Sequence, residues 1–378
     1  MHSKVQAHSK VQVQTKVPIQ TKVSVQVDAD PNGSDATLTL SRSKRFPRTT
    51  MGGAIALALF ALSTQASAAT WKMALGDAAG GTQYELGTTF AKLIEEKTDG
   101  EIKVDLFPNG QLGSEQDTVN NASMGLLDLS VLAINNITPF SPTVGVMTLP
   151  YVIRSPEDAK TLTHGKVGQE MVDNTLRDAG VRILGWAYSG CRRLTNSERP
   201  VANPEDLKGM SIRVPKNEIM IAAYQAWGVN PNPLAWSETF TALQQGVVDG
   251  QDNPYITINA MKFYEVQKYV TDSCYVFSME PLIIGEGMFQ SLDESQQQAV
   301  LEAGKEATEH SYEYLLAQED AIKKSLVDEH GMEITEPADD EKAWVDQATS
   351  IWPQFYDSIG GKEKLDEALT ALGREPAP

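Results

Sequence analysis

Cysteine is nearly absent. The chain holds two, Cys191 and Cys274, too few for a disulfide-framed scaffold and without the paired spacing of a thiolate metal site. Spacing alone does not pair them, and two packed thiols are the default expectation. Histidine is also scarce, with five in all. Two of them stand near the N-terminus, and His164, His310 and His330 lie apart from partners at metal-ligand spacing. There is no Gly-x-Ser-x-Gly elbow, no His-Glu-x-x-His helix and no phosphate-cradling loop, so no catalytic, metal or cofactor site is read. Positive charge is in deficit, 32 Lys and Arg against 50 Asp and Glu, for a net charge of −18. Such a surface repels phosphate backbones, and no basic stripe with interleaved aromatics offsets it, which excludes nucleic acid as a partner. An anionic ligand would need a few specific cations to hold it against this field.

What is present begins with an unusual leader. His2 to Val27 repeats Ser-Lys-Val-Gln and Gln-Thr-Lys-Val units with little to bury, and residues 1–50 are expected to be unfolded or to reflect a start assigned too far upstream. Arg42, Lys44, Arg45 and Arg48 then precede the apolar run Met51 to Leu62 and the motif Ala66-Ser67-Ala68. This is the layout of a secretory signal peptide spanning 51–68, with cleavage after Ala68. The run is too short to cross a bilayer, which takes about 20 residues. The leader is basic, so the exported portion is more acidic than the whole chain.

From Trp71 onward, strand-like and helical stretches alternate, the pattern of an α/β protein. Strands are expected at 71–76, 101–107, 127–134, 181–188 and 210–214, and helices at 82–98, 217–227 and 237–245. A long helical segment runs from Asp293 to about His330 and could brace two lobes. No internal repeat is visible beyond the leader.

Three segments carry candidate chemistry. In LKGMSIRVP, 207 to 215, Ile212 and Val214 bracket Arg213 in strand alternation, and Pro215 ends the strand. That leaves the guanidinium at a strand end, where open α/β sheets place ligands; a surface ion pair is the competing reading. In SGCRRLTNS, 189 to 197, Arg192 and Arg193 follow a buried-looking strand, so that one could meet an anion while the other stays in solvent. In NPNPLAWSETFTALQQGVVDGQDNP, 230 to 254, Ser237 reads as a helix cap, Phe240, Leu243 and Val247 as the buried stripe, and Trp236 as a pocket wall or core residue. Asn253 before Pro254 has the pattern of a helix cap.

Together, GCRRLTNS, KGMSIRVP and WSETFTALQQGVVDGQDNP resemble the solute-binding subunits of tripartite ATP-independent periplasmic (TRAP) transporters, the DctP family. LFPNGQLGSEQD, LPYVI and KFYEVQKYV support the resemblance over essentially all of the mature chain. It implies a two-lobe periplasmic binding protein fold with a hinge and a long helix spanning both lobes. Lobe I would hold 69–189 plus about 278–317, and lobe II 190–277 plus about 318–378. It further implies that Arg213 grips a ligand carboxylate, that Arg192 adds a second contact, and that Asn253 and Trp236 line the pocket. Asp252 stands where Glu is usual, and Thr239-Phe240 where Val-Tyr is usual.

Asp77 and Gln83, in the glycine-rich loop after the first strand, and Asn135 and Asn136, after a buried strand, are further candidates. They offer groups for ligand hydroxyls. The expected role is a monomeric periplasmic protein, not an enzyme and without cofactor or metal, that captures a small organic acid for TRAP permease subunits. A sugar acid such as a uronate is preferred and a C4 dicarboxylate comes second. The alternatives are a binding protein of an ATP-driven importer and a periplasmic lyase or hydrolase acting on an organic acid.

Overall fold

The computed structural model describes residues 25–28, 37–40 and 69–377. The basic segment, apolar run and cleavage motif of the expected leader lie outside the described residues. Within the stretch expected to be unfolded, Val25–Asp28 and Thr37–Leu40 pair as antiparallel strands. Both segments alternate and are rich in β-branched or aliphatic residues, which favours that pairing.

From Ala69 on, the chain is built around two main sheets. The larger has the order Ile102–Phe107, Ala69–Leu75, Leu129–Val131, Phe277–Gly285, Val181–Cys191. Its first three strands are parallel, and Phe277–Gly285 runs antiparallel to both its neighbours. The smaller has the order Gly250–Asn253, Arg193–Asn196, Tyr269–Thr271, Glu333–Thr335. The expected strand over 127–134 is shorter than its apolar run, because a 3-10 turn takes over at Ile134–Asn136.

A duplication unseen in the sequence underlies the two lobes. In the first, strand Ala69–Leu75, helix Thr82–Lys97, strand Ile102–Phe107, helix Glu115–Ser123 and strand Leu129–Val131 follow in order, with the first strand in the middle. The second repeats this with Arg213–Val214, Glu218–Ala226, Asn232–Pro233, Trp236–Gln244 and Gly250–Asn253, joined by a parallel bridge from Ile212 to Gly250. Each second helix is followed by a glycine in the left-handed region, Gly125 at φ 71° and Gly246 at φ 67°, where a side chain would be strained. Two aliphatics and an aspartate follow each glycine. Asp128 accepts from the Lys72 amide at 2.8 Å, and Asp249 from the Ser211 amide at 2.7 Å. Little beyond Gly-Leu-Leu-Asp and Gly-Val-Val-Asp survives as sequence likeness, so the repeat was illegible.

Two strand connections cross between the lobes. Val181–Cys191 leads into Arg193–Asn196, and Tyr269–Thr271 leads into Phe277–Gly285. At the crossing the register slips between Ser278 and Met279, and Gly190 takes φ 98°. There the strands lie side by side, with the Arg192 amide donating to Val276 O at 2.9 Å. This brings Cys191 and Cys274 into a disulfide with Cα atoms 4.9 Å apart, which corrects the expectation of free thiols. The long helix, Glu294–Asp328, capped by Asp293, ties both lobes together. Thr308 and Ser311 accept from the amides of Trp186 and Tyr188, at 2.9 and 3.1 Å. Further along, Lys323 pairs with Asp272 and Leu326 enters the second lobe's core. Among the described residues no helix is long and apolar enough to cross a membrane.

Candidate functional site

Parallel strands expose their carboxyl ends at one edge of a sheet, and the duplicated units turn these edges toward each other. Between them lies a cavity lined by Asp77, Gln83, Asn135, Asn136, Arg192, Arg213, Trp236 and Asn253, together with Glu115, Ala133, Pro215, Thr257 and Glu280. All eight residues singled out from the sequence thus meet around one space.

Arg213 follows the alternation argument, with Ile212 and Val214 fully buried on the core side. The arginine itself is only 2% exposed. Its Nε and Nη2 donate to Leu234 O at 3.2 and 2.8 Å, and its guanidinium lies 5.8 Å from the centre of the Trp236 ring. Among the described residues no carboxylate forms an ion pair with it, so the surface ion-pair reading fails. Burial, with the nearby Arg192 adding to it, pushes Arg213 down to about 10.

Arg192 is 3% exposed and already neutralised. Its Nε meets Asp252 Oδ2 at 2.6 Å, and its Nη2 donates to Asp252 O at 2.5 Å. Arg193 is not left in solvent as expected. It pairs with Asp272 at 2.5 Å and Glu319 at 3.7 Å and donates to Ser273 O at 2.6 Å, away from the cavity lining.

Two local expectations in the 230 to 254 segment change. Helix Trp236–Gln244 begins one residue early, with Ala235 at the cap position and Glu238 Oε2 accepting from the Ala235 amide at 3.0 Å, so Ser237 is not the cap. Trp236 thereby occupies the first helical position and faces the cavity with its indole N–H buried and unpaired. Val247, past the left-handed Gly246, is 59% exposed rather than part of the buried stripe. Asn253 closes a strand instead of capping a helix, because Pro254 takes the cap of Tyr255–Ala260. Its Nδ2 donates to Gln251 Oε1 at 2.5 Å.

The opposite wall is acidic, which sequence reasoning missed. Glu115, first residue of its helix, accepts from Gln83 Nε2 at 2.9 Å, from the Ala133 amide at 3.2 Å and from Asn136 Nδ2. Gln83 Oε1 in turn accepts from the Gly76 amide at 2.6 Å, which pins the glycine-rich loop. Asn135 offers a buried Nδ2 without a partner. Glu280 is a charged residue inside the apolar run VFSMEPLII, and that anomaly was the one signal that could have flagged it.

Burial, then Glu115, pushes Asp77 up to about 7, against the opposing pull of Gln83 and Arg192. Burial likewise raises Glu115 and Glu280. A carboxyl raised in the folded state binds its proton there more tightly than in the unfolded chain, where it titrates near about 4. Stability from Asp77 therefore falls as pH rises from about 4 to about 7. Urea unfolding of the ligand-free protein across that window is expected to show a shallower fall for Asp77→Asn than for wild type. An identical slope in the two proteins would remove Asp77 from this role.

The sequence profile of the bacterial extracellular solute-binding protein family 7, DctP, matches residues 76–358. A TRAP periplasmic solute-binding protein from Rhodobacter sphaeroides, in an apo open form, is 36% identical with a TM-score of 0.66, over 80% of this chain and 98% of that one. One from Roseobacter denitrificans with bound L-galactonate is 30% identical, TM-score 0.69, over 77% and 98%. One from Sulfurospirillum deleyianum with bound succinate is 27% identical, TM-score 0.74, over 79% and 97%. The overall fold is thus shared with these proteins, and the chain belongs to the DctP family of TRAP-type solute-binding proteins.

Proposed function

We propose that this chain works in the periplasm as a monomer, captures a small carboxylate, preferably a sugar acid, and delivers it to TRAP permease subunits. The observation that carries this is Arg213, a buried guanidinium in an interlobe cavity with no carboxylate partner among the described residues. A planar fork of donors matches both oxygens of a carboxylate, and such charge-assisted bonds are strong where water is excluded. In this reading the lobes, 69–189 with 278–317 and 190–277 with 318–378, close over the ligand at the crossing strands. The leader would be removed after Ala68, which leaves strand Ala69–Leu75 intact.

The rest of the cavity supports a polyhydroxylated ligand. Asn135 Nδ2, Trp236 Nε1, Thr257 Oγ1 and Asp77 Oδ2 are buried without partners, and such groups are costly unless a ligand completes them. A C4 dicarboxylate, second in preference, would want another free cation. Arg192 and Arg193 are both committed to carboxylates. Relatives hold either class, one L-galactonate and one succinate, so the choice rests on this lining.

The test is a stabilisation panel on the mature protein with galactonate, gluconate, glucuronate, succinate and malate, followed by calorimetry. A sugar acid at 100 times its Kd is expected to add about 2.7 kcal/mol to stability. A response to the dicarboxylates alone would overturn the ligand choice. Recovery of chemically altered ligand would favour the lyase or hydrolase reading.

A further inference from the structure

We propose that Asp77 and Glu280 form a selectivity element that accepts a hydrogen-bond-donating end of the ligand and rejects a second carboxylate. This rests on the reading of the cavity as a carboxylate site gripped by Arg213.

Acidic groups outnumber cations around the cavity. Asp77, Glu115 and Glu280 line it alongside Arg192 and Arg213, and Arg192 is taken by Asp252. A ligand carboxylate on Arg213 would use the one remaining cation among the lining residues. Glu115 is held by three donors, so the acceptors still open lie mainly on the other two acids.

Asp77 follows directly on the first strand and the glycine after it, and its Oδ2 is buried without a partner. The loop is shaped around this carboxyl, since a Cβ placed on Gly81 would fall 2.5 Å from Asp77 Oδ2. Glu280 is 4% exposed and comes from the strand that crosses between the lobes. Its Oε2 accepts from Thr82 Oγ1 at 3.1 Å, and that hydroxyl is also bonded to Ser189. Two polar elements thus hold Glu280 at the cavity wall rather than in the apolar core.

A hydroxyl reaching this wall finds acceptor oxygens whether the carboxyls are protonated or ionised. Once Asp77 is ionised, above about pH 7, a carboxylate reaching this wall meets a buried like charge with no free cation between them, a repulsion water screens poorly in a closed cleft. The filter is therefore a device against a competitor as well as for the ligand.

Matched pairs test it, because galactonate and galactarate, or gluconate and glucarate, differ only in the oxidation of the last carbon. At about pH 8.5, where Asp77 is ionised, wild type is expected to bind each aldonate at least about 100-fold more tightly than its aldarate. In Asp77→Asn/Glu280→Gln the ratio is expected to fall below about 10, mainly through tighter aldarate binding. The single variants should lie between, and they carry the test if the double variant does not fold. Equal binding of both members by wild type, or an unchanged ratio in the folded variants, would overturn the filter alone. Failure of wild type to bind either aldonate would overturn the sugar-acid reading beneath it.

Discussion

Arg213→Lys is expected to weaken carboxylate binding by about 100-fold or more while leaving the ligand-free protein folded and at least as stable. Truncating one partner of a buried charge pair costs about 2–5 kcal/mol, and each 1.4 kcal/mol is about tenfold in affinity. Lysine keeps the charge but not the fork that can take both carboxylate oxygens while a backbone carbonyl is still held. In the ligand-free protein the guanidinium is desolvated, and among the described residues Leu234 O is its only acceptor. An unpaired buried charge destabilises its host, so Arg213→Met should raise or preserve the urea midpoint even as binding disappears. A structural arginine would behave the opposite way, losing stability first. Calorimetry on folded Arg213→Lys showing affinity within tenfold of wild type would end the assignment.

The strand-end position of that arginine was legible because its sign is local, apolar neighbours at strand spacing on both sides and then a proline, whereas its grip on a carboxylate was implied only by the family resemblance. The alternation of strands and helices, the long helix and the cavity membership of Asp77, Gln83, Asn135 and Asn136 were readable on similar grounds, since ligands gather past strand ends. Asn253 was placed at the pocket by the family resemblance, and the helix cap read from its own neighbours is not formed, because Pro254 takes that position. What was not legible depends on contacts far apart in sequence. The Cys191–Cys274 bond follows from two crossing strands, and the duplication is carried by strand order and two aspartates rather than by matching residues. The acidic wall is the clearest case. Glu115 looks like an ordinary residue at a helix start and Asp77 like a loop aspartate, and only the fold buries both beside Glu280.

The second large effect is expected at Asp252, whose removal should cost stability before it costs recognition. Asp252 is fully buried, holds Arg192 at 2.6 Å and accepts from Tyr275 O–H at 2.7 Å. Tyr275, Tyr224, Trp227 and Trp344 stack edge to face in a chain behind it, with ring centroids 4.9 to 5.8 Å apart. They keep water from the pair, so neither charge can recover its hydration when the other is deleted. Asp252→Ala should therefore lose about 3–5 kcal/mol in urea unfolding, the range for breaking a buried pair from one side. Removing both charges together, as Arg192→Met/Asp252→Leu, should restore most of that loss, because apolar replacement of a whole buried pair is often nearly neutral. Binding in the double variant should weaken less than in Arg213→Lys, since Arg192 is already satisfied by Asp252 while Arg213 is not. If the double variant is as unstable as the single one, packing rather than charge holds this part of the lobe. The division of labour between the two arginines, one structural and one for the ligand, would then have to be given up.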